Sequence, residues 1–261
     1  MAASEQLSLV PAPAAAPTGR MLRAQTIMEL KLLLRNGEQV GLTLIIPLLL
    51  ELFFNLPMLY SLDGPRIDFV VPSVLALAVM SASFTGLAIG TGFERKYAVL
   101  KRLGASALTR PVLLLGKTLA VMILQVLQVI LICALGAVLA WRPTLRPIEN
   151  LIWALLLIVL GTFTFGALGL LLAGTVRAEI TLAAANLVWL VLLFAGGIAV
   201  PLSKYPGAAA DVLRYLPSAA LSDGLHQVLQ HGGGFPTREV LTLLVWTALA
   251  LPAAARWFRW E

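Results

Sequence analysis

The sequence predicts an all-α integral membrane protein. It would have six transmembrane helices, an N-terminal interfacial helix, a charged helix on the cytoplasmic surface and re-entrant helices between spans five and six. Three observations carry this. The chain is 59% hydrophobic and only 12% charged, with a mean hydropathy of +0.91, whereas soluble domains are about 25% charged. Its 261 residues leave room for about six apolar runs of roughly 20 residues, the length that crosses a bilayer as helix. Finally, the charged stretch Phe93–Ser106 is wedged between Val70–Gly92, which holds no charge, and Val112–Trp141, whose one charge is Lys117.

Taken in order, residues 1–19 contain no Lys or Arg and carry Pro11, Pro13 and Pro17 among alanines. They read as a disordered tail, not as a secretory leader. Residues 20–37 form the next unit. Arg20, Arg23, Lys31 and Arg35 share one side of a helical wheel, which suits a helix lying on the inner leaflet and stopping at Gly37. Residues 38–261 form the membrane domain, with spans at Val40–Tyr60, Val70–Gly92, Val112–Trp141, Leu151–Val176, Ile180–Pro201 and Val240–Phe258. From Leu202 to Glu239 the loop holds two apolar stretches too short to span, separated by Pro217. They suit helices that dip into the outer face and return, or a small external cap.

Orientation follows from the basic residues. With the N-terminus inside, thirteen of the 19 Lys and Arg fall on inner segments and six on outer ones. This bias puts both termini in the cytoplasm of a multi-pass cell-membrane protein. The net charge of +6 follows the span ends and is no nucleic-acid footprint.

Several motifs have plain readings. Gly116-Lys117-Thr118 looks like the end of a phosphate-binding loop, but the required earlier glycine is Pro111, which has no N–H to donate. ATP binding here is rejected, and Lys117 reads as an anchor reaching the inner headgroups. Cys133 is the only cysteine, so there is no disulfide or thiolate metal site. His226 and His231 read as ordinary polar loop residues, and no metal site is expected. Gly86 and Gly90 make a G-x-x-x-G packing step, and Gly166, Gly169 and Ala173 give span four a similar thin side. No catalytic Ser/His/Asp set or paired carboxylates occur in the spans, so an enzyme is not expected.

Polar residues inside spans are the candidates for a transport path. Glu51 falls near the midplane if its span starts at Val40, and a carboxylate there should be protonated, paired or facing a wet cavity. Asn55 is one turn away. Gln125 and Gln128 share a face of span three, and Asn186 lies in span five. All five could equally be glue between helices, or Glu51 could sit at the outer interface.

The charged stretch, drawn as one helix, sorts Phe93, Tyr97, Leu100, Leu103 and Gly104 to one face. Glu94, Arg95, Ala98, Lys101 and Arg102 sort to the other, with Lys96 as the exception. This run, with Pro201, Pro206 and Leu216-Pro217 after span five, resembles the permease subunits of ABC-2 type transporters, near the daunorubicin-resistance drug-export branch. The resemblance covers roughly residues 20–260. Related permeases often have Gly-Thr where this chain has Tyr97-Ala98-Val99, and Thr-Pro where it has Ser106-Ala107.

The resemblance implies an ATP-driven exporter of an amphiphilic, drug-like or lipid-like substrate. Two copies of a separate ATPase would bind ATP and magnesium, and this chain would bind no cofactor. The permease would form a homodimer or pair with a sister permease. Glu94, Arg95, Lys96, Lys101 and Arg102 would belong to a coupling helix docked on the ATPase. The alternatives are an ABC permease for polysaccharide, lipid or haem-related cargo, or a membrane carrier or scaffold that uses no ATP.

Overall fold

The computed structural model describes residues 15–56, 65–143 and 148–259. Most of the predicted tail, and the last residues assigned to the first span, lie outside them. Helices α1 (Thr18–Arg35) and α2 (Gly37–Phe54) are followed by α3 (Arg66–Met80), a π-helical segment (Ser81–Gly86) and α4 (Leu87–Lys96). Then come α5 (Val99–Gly104), α6 (Arg110–Val138), α7 (Glu149–Thr175) and α8 (Ala178–Ala195). The chain closes with a 3₁₀ turn (Leu202–Lys204), α9 (Gly207–Leu213), α10 (Pro217–Leu229) and α11 (Thr237–Trp257).

Five stretches are long and apolar enough to cross a bilayer: Arg66–Lys96, α6, α7, α8 and α11. The pair α1 and α2, bent by 70° at their junction, makes a sixth if counted as one broken span. All described elements are helical, as the composition requires. In lipid a helix satisfies its own backbone, and no strand edge could.

Arg66–Lys96 is the central rod. Val71, Val74, Ala76, Met80 and Ala88 are fully buried in it, and α6, α7, α8 and α10 pack around it. Small residues set the closest approaches. A side-chain carbon added at Gly169 would lie 2.5 Å from the Phe84 carbonyl oxygen, so α7 meets the π segment backbone to backbone. The predicted thin side of α7 is therefore in use. A side-chain carbon added at Gly90 would meet nothing within 4 Å, and one at Gly86 would meet only the Ser81 carbonyl at 3.7 Å.

Span five ends at Ala195, six residues before the expected Pro201. Gly196 fits so tightly against Ser218 that a side-chain carbon would meet its hydroxyl at 2.2 Å, and Gly197 turns the chain with φ of +69°. Helix α10 is too short to span, at about 1.5 Å per residue over 13 residues. Yet Ala219, Leu221, Leu225 and Val228 are buried, wedged among α3, α7 and α11. His226 belongs to this helix and not to a loop, which corrects the reading from sequence.

Candidate functional site

The helix ends that share Glu94, Lys117, Val176 and Phe258 form a basic end of the bundle. There the charged run does not make the single sorted helix expected. Helix α4 stops at Lys96, and Ala98 takes a left-handed backbone with φ of 57°, a conformation that ordinary L-residues adopt at a cost. The helix axis breaks, so residues before and after it face different surroundings.

Before the break, the charges turn inward. The Lys117 ammonium lies 2.6 Å from Glu94 and 2.9 Å from Glu29 of α1. Gln25 donates to Glu29 at 2.6 Å. The Lys117 side chain is only 2% exposed, so it is no surface anchor. It is the buried centre of a triad joining α1, α4 and α6. The Gly-Lys-Thr tripeptide gains a structural meaning. Gly116 admits α1, where any side chain would meet Gln25 at 2.6 Å. Thr118 bonds back to the Leu114 carbonyl and packs on Gly166. Arg95 donates to the carbonyl of Val176, one of the carbonyls that the end of α7 leaves without an intrahelical partner.

After the break, α5 is fixed by Leu100, fully buried in a small core with Leu87, Leu113, Leu114, Leu170 and Phe258. Burying one such side chain is worth about 1.5–3 kcal/mol. Lys101 and Arg102 are exposed, and Tyr97, expected on the apolar face, is 67% exposed. Lys96 pairs with Glu179 of α8 at 2.5 Å, both side chains open to the surroundings; such pairs contribute at most about 1 kcal/mol. Of the five residues expected on one outward face, Glu94 and Arg95 point into the bundle, Lys96 bridges to α8, and Lys101 and Arg102 are exposed.

The polar residues inside the spans separate into two groups. Gln128 and Asn186 line a cavity of about 370 Å³ between α2, the π segment, α6 and α8. Gln128 also donates to the Thr43 carbonyl at 2.8 Å. The π segment supplies one wall with Ser81, Ala82, Thr85 and Gly86. Its extra residue per turn re-aims side chains, a distortion frequent at functional sites. The Thr85 hydroxyl is buried without a hydrogen-bond partner among the described residues, and Trp189 reaches across to Ser81 at 2.8 Å. The remaining walls are mostly aliphatic. Leu42 and Ile46 line the cavity too and are about half exposed, so it opens sideways on the apolar surface of the bundle.

Gln125, Glu51 and Asn55 do not line that cavity. Gln125 donates to Ser83 at 2.8 Å and accepts from Thr162 at 2.7 Å, tying the π segment, α6 and α7. Asn55 lies half-buried just past α2. Glu51 is fully buried, and neither carboxylate oxygen has a hydrogen-bond partner among the described residues. It stands near Gly136, two residues from the end of α6, and only three residues from the end of α2. This is close to the far end of the bundle and not at the midplane, because α2 ends at Phe54 and not at Tyr60.

At that far end, His226 pins α10 to the start of α3. Its ring packs tilted against Phe69, with ring centres 4.7 Å apart. Nδ1 lies 2.8 Å from the Ser222 carbonyl and Nε2 3.1 Å from the Phe69 carbonyl. Only a charged ring could donate to both, but burial outweighs that gain and pushes the imidazole down to about 4. Three residues earlier, burial pushes the Asp223 carboxyl up to about 6, against the pull of Arg238 at 3.4 Å. Among the described residues no group of His, Cys, Asp and Glu is arranged to hold a metal.

Sequence reasoning missed Glu29, Gln25 and the π segment. The first two carried a signal: they stand four apart on α1, off its basic stripe, where an inward polar face would be.

Comparison with known proteins agrees with this architecture. Residues 66–255 match the family model described as ABC-2 family transporter protein. A protein described as a transport permease, YvfS of Bacillus subtilis, is 26% identical over 229 residues, covering 86% of this chain and 91% of its own length. A protein described as a doxorubicin resistance ABC transporter permease, DrrC of Mycobacterium tuberculosis, is 24% identical over 256 residues, covering 94% and 91%. With nearly three-quarters of its length inside the family model and with its several apolar helices, this chain belongs to the ABC-2 family of transporter proteins.

Proposed function

We propose that this chain is the membrane-spanning, non-hydrolysing subunit of an ATP-driven exporter that moves an amphiphilic, drug-like molecule outward. The observation that carries this reading is the lateral cavity. Its volume of about 370 Å³ lies in the range of about 300–1,000 Å³ typical of small-molecule sites. Aliphatic walls with a few polar groups at Gln128, Asn186 and Thr85 match a molecule with both characters. An opening on the apolar surface would admit such a molecule from the bilayer itself. That a relative is described as a doxorubicin resistance permease supports a drug-like cargo over a polymeric one.

In this reading the basic end is cytoplasmic, as the distribution of Lys and Arg implies. Two copies of an ATPase bind there, against a homodimer or a pair of sister permeases. The exposed surface of Tyr97, Val99, Lys101 and Arg102 docks on them, while Glu94, Arg95 and Lys96 hold that surface to the bundle. Helices α9 and α10 form the re-entrant pair on the outer side.

The test is transport by the chain reconstituted with its ATPase in vesicles, using a fluorescent anthracycline. Trp189→Ala and Asn186→Leu should reduce uptake into inverted vesicles at least severalfold while the ATPase still co-purifies. Lys101→Glu with Arg102→Glu should release the ATPase without lowering the melting temperature. Full transport by both cavity variants would sink the proposed path, and an ATPase that stays bound to the charge-reversed chain would sink the proposed docking surface.

A further inference from the structure

A second void lies at the basic end, away from the lateral cavity. It occupies about 280 Å³ between the first residue of α6 and the last turns of α7 and α11. Arg110, Thr175, Arg256, Trp257, Phe258 and Arg259 line it. No acidic residue is among them, and none of the three arginines has an ion-pair partner among the described residues. Arg95 stands within Coulomb range of Arg259 and adds to the positive potential.

The arrangement is held rigidly. Phe258 is buried against Gly174, so closely that a side-chain carbon there would meet its ring at 2.5 Å. The Arg259 backbone N–H donates to the Gly174 carbonyl at 3.1 Å. Three arginines thus line one void, and the Arg259 backbone is placed there by contacts that do not depend on charge. Such convergence is repulsive unless an anion sits between them, and a guanidinium fork matches phosphate oxygens in pairs.

Position selects the kind of anion. The pocket lies where three candidate spans end, and so at the level of the lipid headgroups. Trp257 beside it is 59% exposed, as aromatic residues are where spans meet the interface. We propose that Arg110, Arg256 and Arg259 bind the phosphate of an anionic phospholipid in the leaflet at the basic end. The bound lipid would tie α6, α7 and α11 together where α4 and α5 also end.

The proposal is tested with the full chain in detergent micelles, by adding phosphatidylglycerol, phosphatidylcholine or inorganic phosphate. The readouts are melting temperature and native mass spectrometry of retained lipid. Phosphatidylglycerol should bind and raise the melting temperature, and phosphatidylcholine should not. A surface Arg contributes roughly fivefold in affinity for an anionic membrane. Each Arg→Gln change should therefore weaken binding by about that factor, and the three together by roughly a hundredfold. Arg142→Gln, an exposed arginine beyond the opposite end of α6, should leave it unchanged. If the triple variant fails to fold, Arg256→Gln alone, on an exposed side chain, supplies the comparison. Equal lipid retention by wild type and the arginine variants overturns the site. Equal stabilisation by phosphatidylcholine overturns the charge selectivity. Displacement of the lipid by millimolar inorganic phosphate would make a free anion the ligand and overturn the lipid assignment.

Discussion

Replacing Lys117 by Met removes one charge from the buried triad and keeps most of the side-chain volume. Two carboxylates, Glu29 and Glu94, then face each other with no cation between them. Glu29 is 8% exposed and Glu94 26%, so Glu29 meets little solvent screening and Glu94 some. Removing one partner of a buried pair costs about 3–5 kcal/mol, because the charge left behind is uncompensated. A chain of this size loses about 2–4 °C of melting temperature per kcal/mol. The K117M chain should therefore melt roughly 6–20 °C lower, measured by fluorescence in nanodiscs. Glu29→Gln should cost more than Glu94→Gln, following their exposures. The triple variant K117M/E29Q/E94Q should recover most of the loss, because a site with no charges needs no counter-charge. A K117M chain that melts within about 2 °C of wild type, below the least loss this scaling gives, would refute the reasoning. A triple variant as unstable as the single would show that shape, not charge, holds α1 in place.

Gly169→Ala should destabilise by about 1–3 kcal/mol, since the added carbon meets a backbone carbonyl that cannot move alone. Gly90→Ala, facing open space, should instead gain up to about 1 kcal/mol of helix stability; paired thermal melts check both. Gln125→Leu strips partners from Ser83 and Thr162 and should cost about 1–3 kcal/mol in the same assay. The two titrating groups of α10 oppose each other. Asp223, raised from 3.8 to about 6, contributes stability that is complete below pH 4 and lost as pH rises through 6. His226, lowered from 6.5 to about 4, contributes stability that is complete above pH 6.5 and lost as pH falls towards 4. Each is worth about 2–3 kcal/mol at most, and less for the partly exposed Asp223. Relative to wild type, Asp223→Asn should lose more stability on acidification from pH 7 to 4, and His226→Gln should gain; parallel difference curves for the two variants would refute the assignment.

The spans were legible because a bilayer converts composition directly into length. An apolar run either reaches across or it does not, and five of the six predicted runs lie within a few residues of the observed helices. The first is the exception, with α1 and α2 meeting at a bend. What composition could not reveal was partnership. Lys117 was visible as the lone charge in its run, but Glu29 lies 88 residues away in sequence, and nothing local marks the two as neighbours. The helical wheel of the charged run failed for a specific reason: it presumed one continuous helix, and the left-handed turn falls on Ala98 and not on a glycine that would have announced it. The π segment was equally silent, since one extra residue in a turn leaves no trace in hydropathy. His226 was misread because His231 and the Gly232-Gly-Gly run suggested a loop, while the helical signal lay upstream in Pro217 and its small, buried neighbours.

The charged run divides at Ala98 into a part bound to the bundle by charge and a part bound by apolar contacts, Leu100 fully buried and Leu103 partly so. Glu94 and Arg95 are fastened to α6, α1 and the end of α7, so α4 is continuous with the central rod and its π segment. Helix α5 is fastened by Leu100 alone among its fully buried residues, and it carries Lys101 and Arg102 outward. If a partner presses on α5, as proposed, Leu100 takes the load against Leu113 and Leu114 of α6. Through α6 the displacement reaches Val121, Leu124 and Gln128, which line the lateral cavity. The triad around Lys117 stands on that same stretch of α6 and resists its sliding past α1 and α4. The break that spoiled the wheel is therefore what gives the proposed handle its freedom: α5 can shift on its apolar seat while the rod behind it stays clamped.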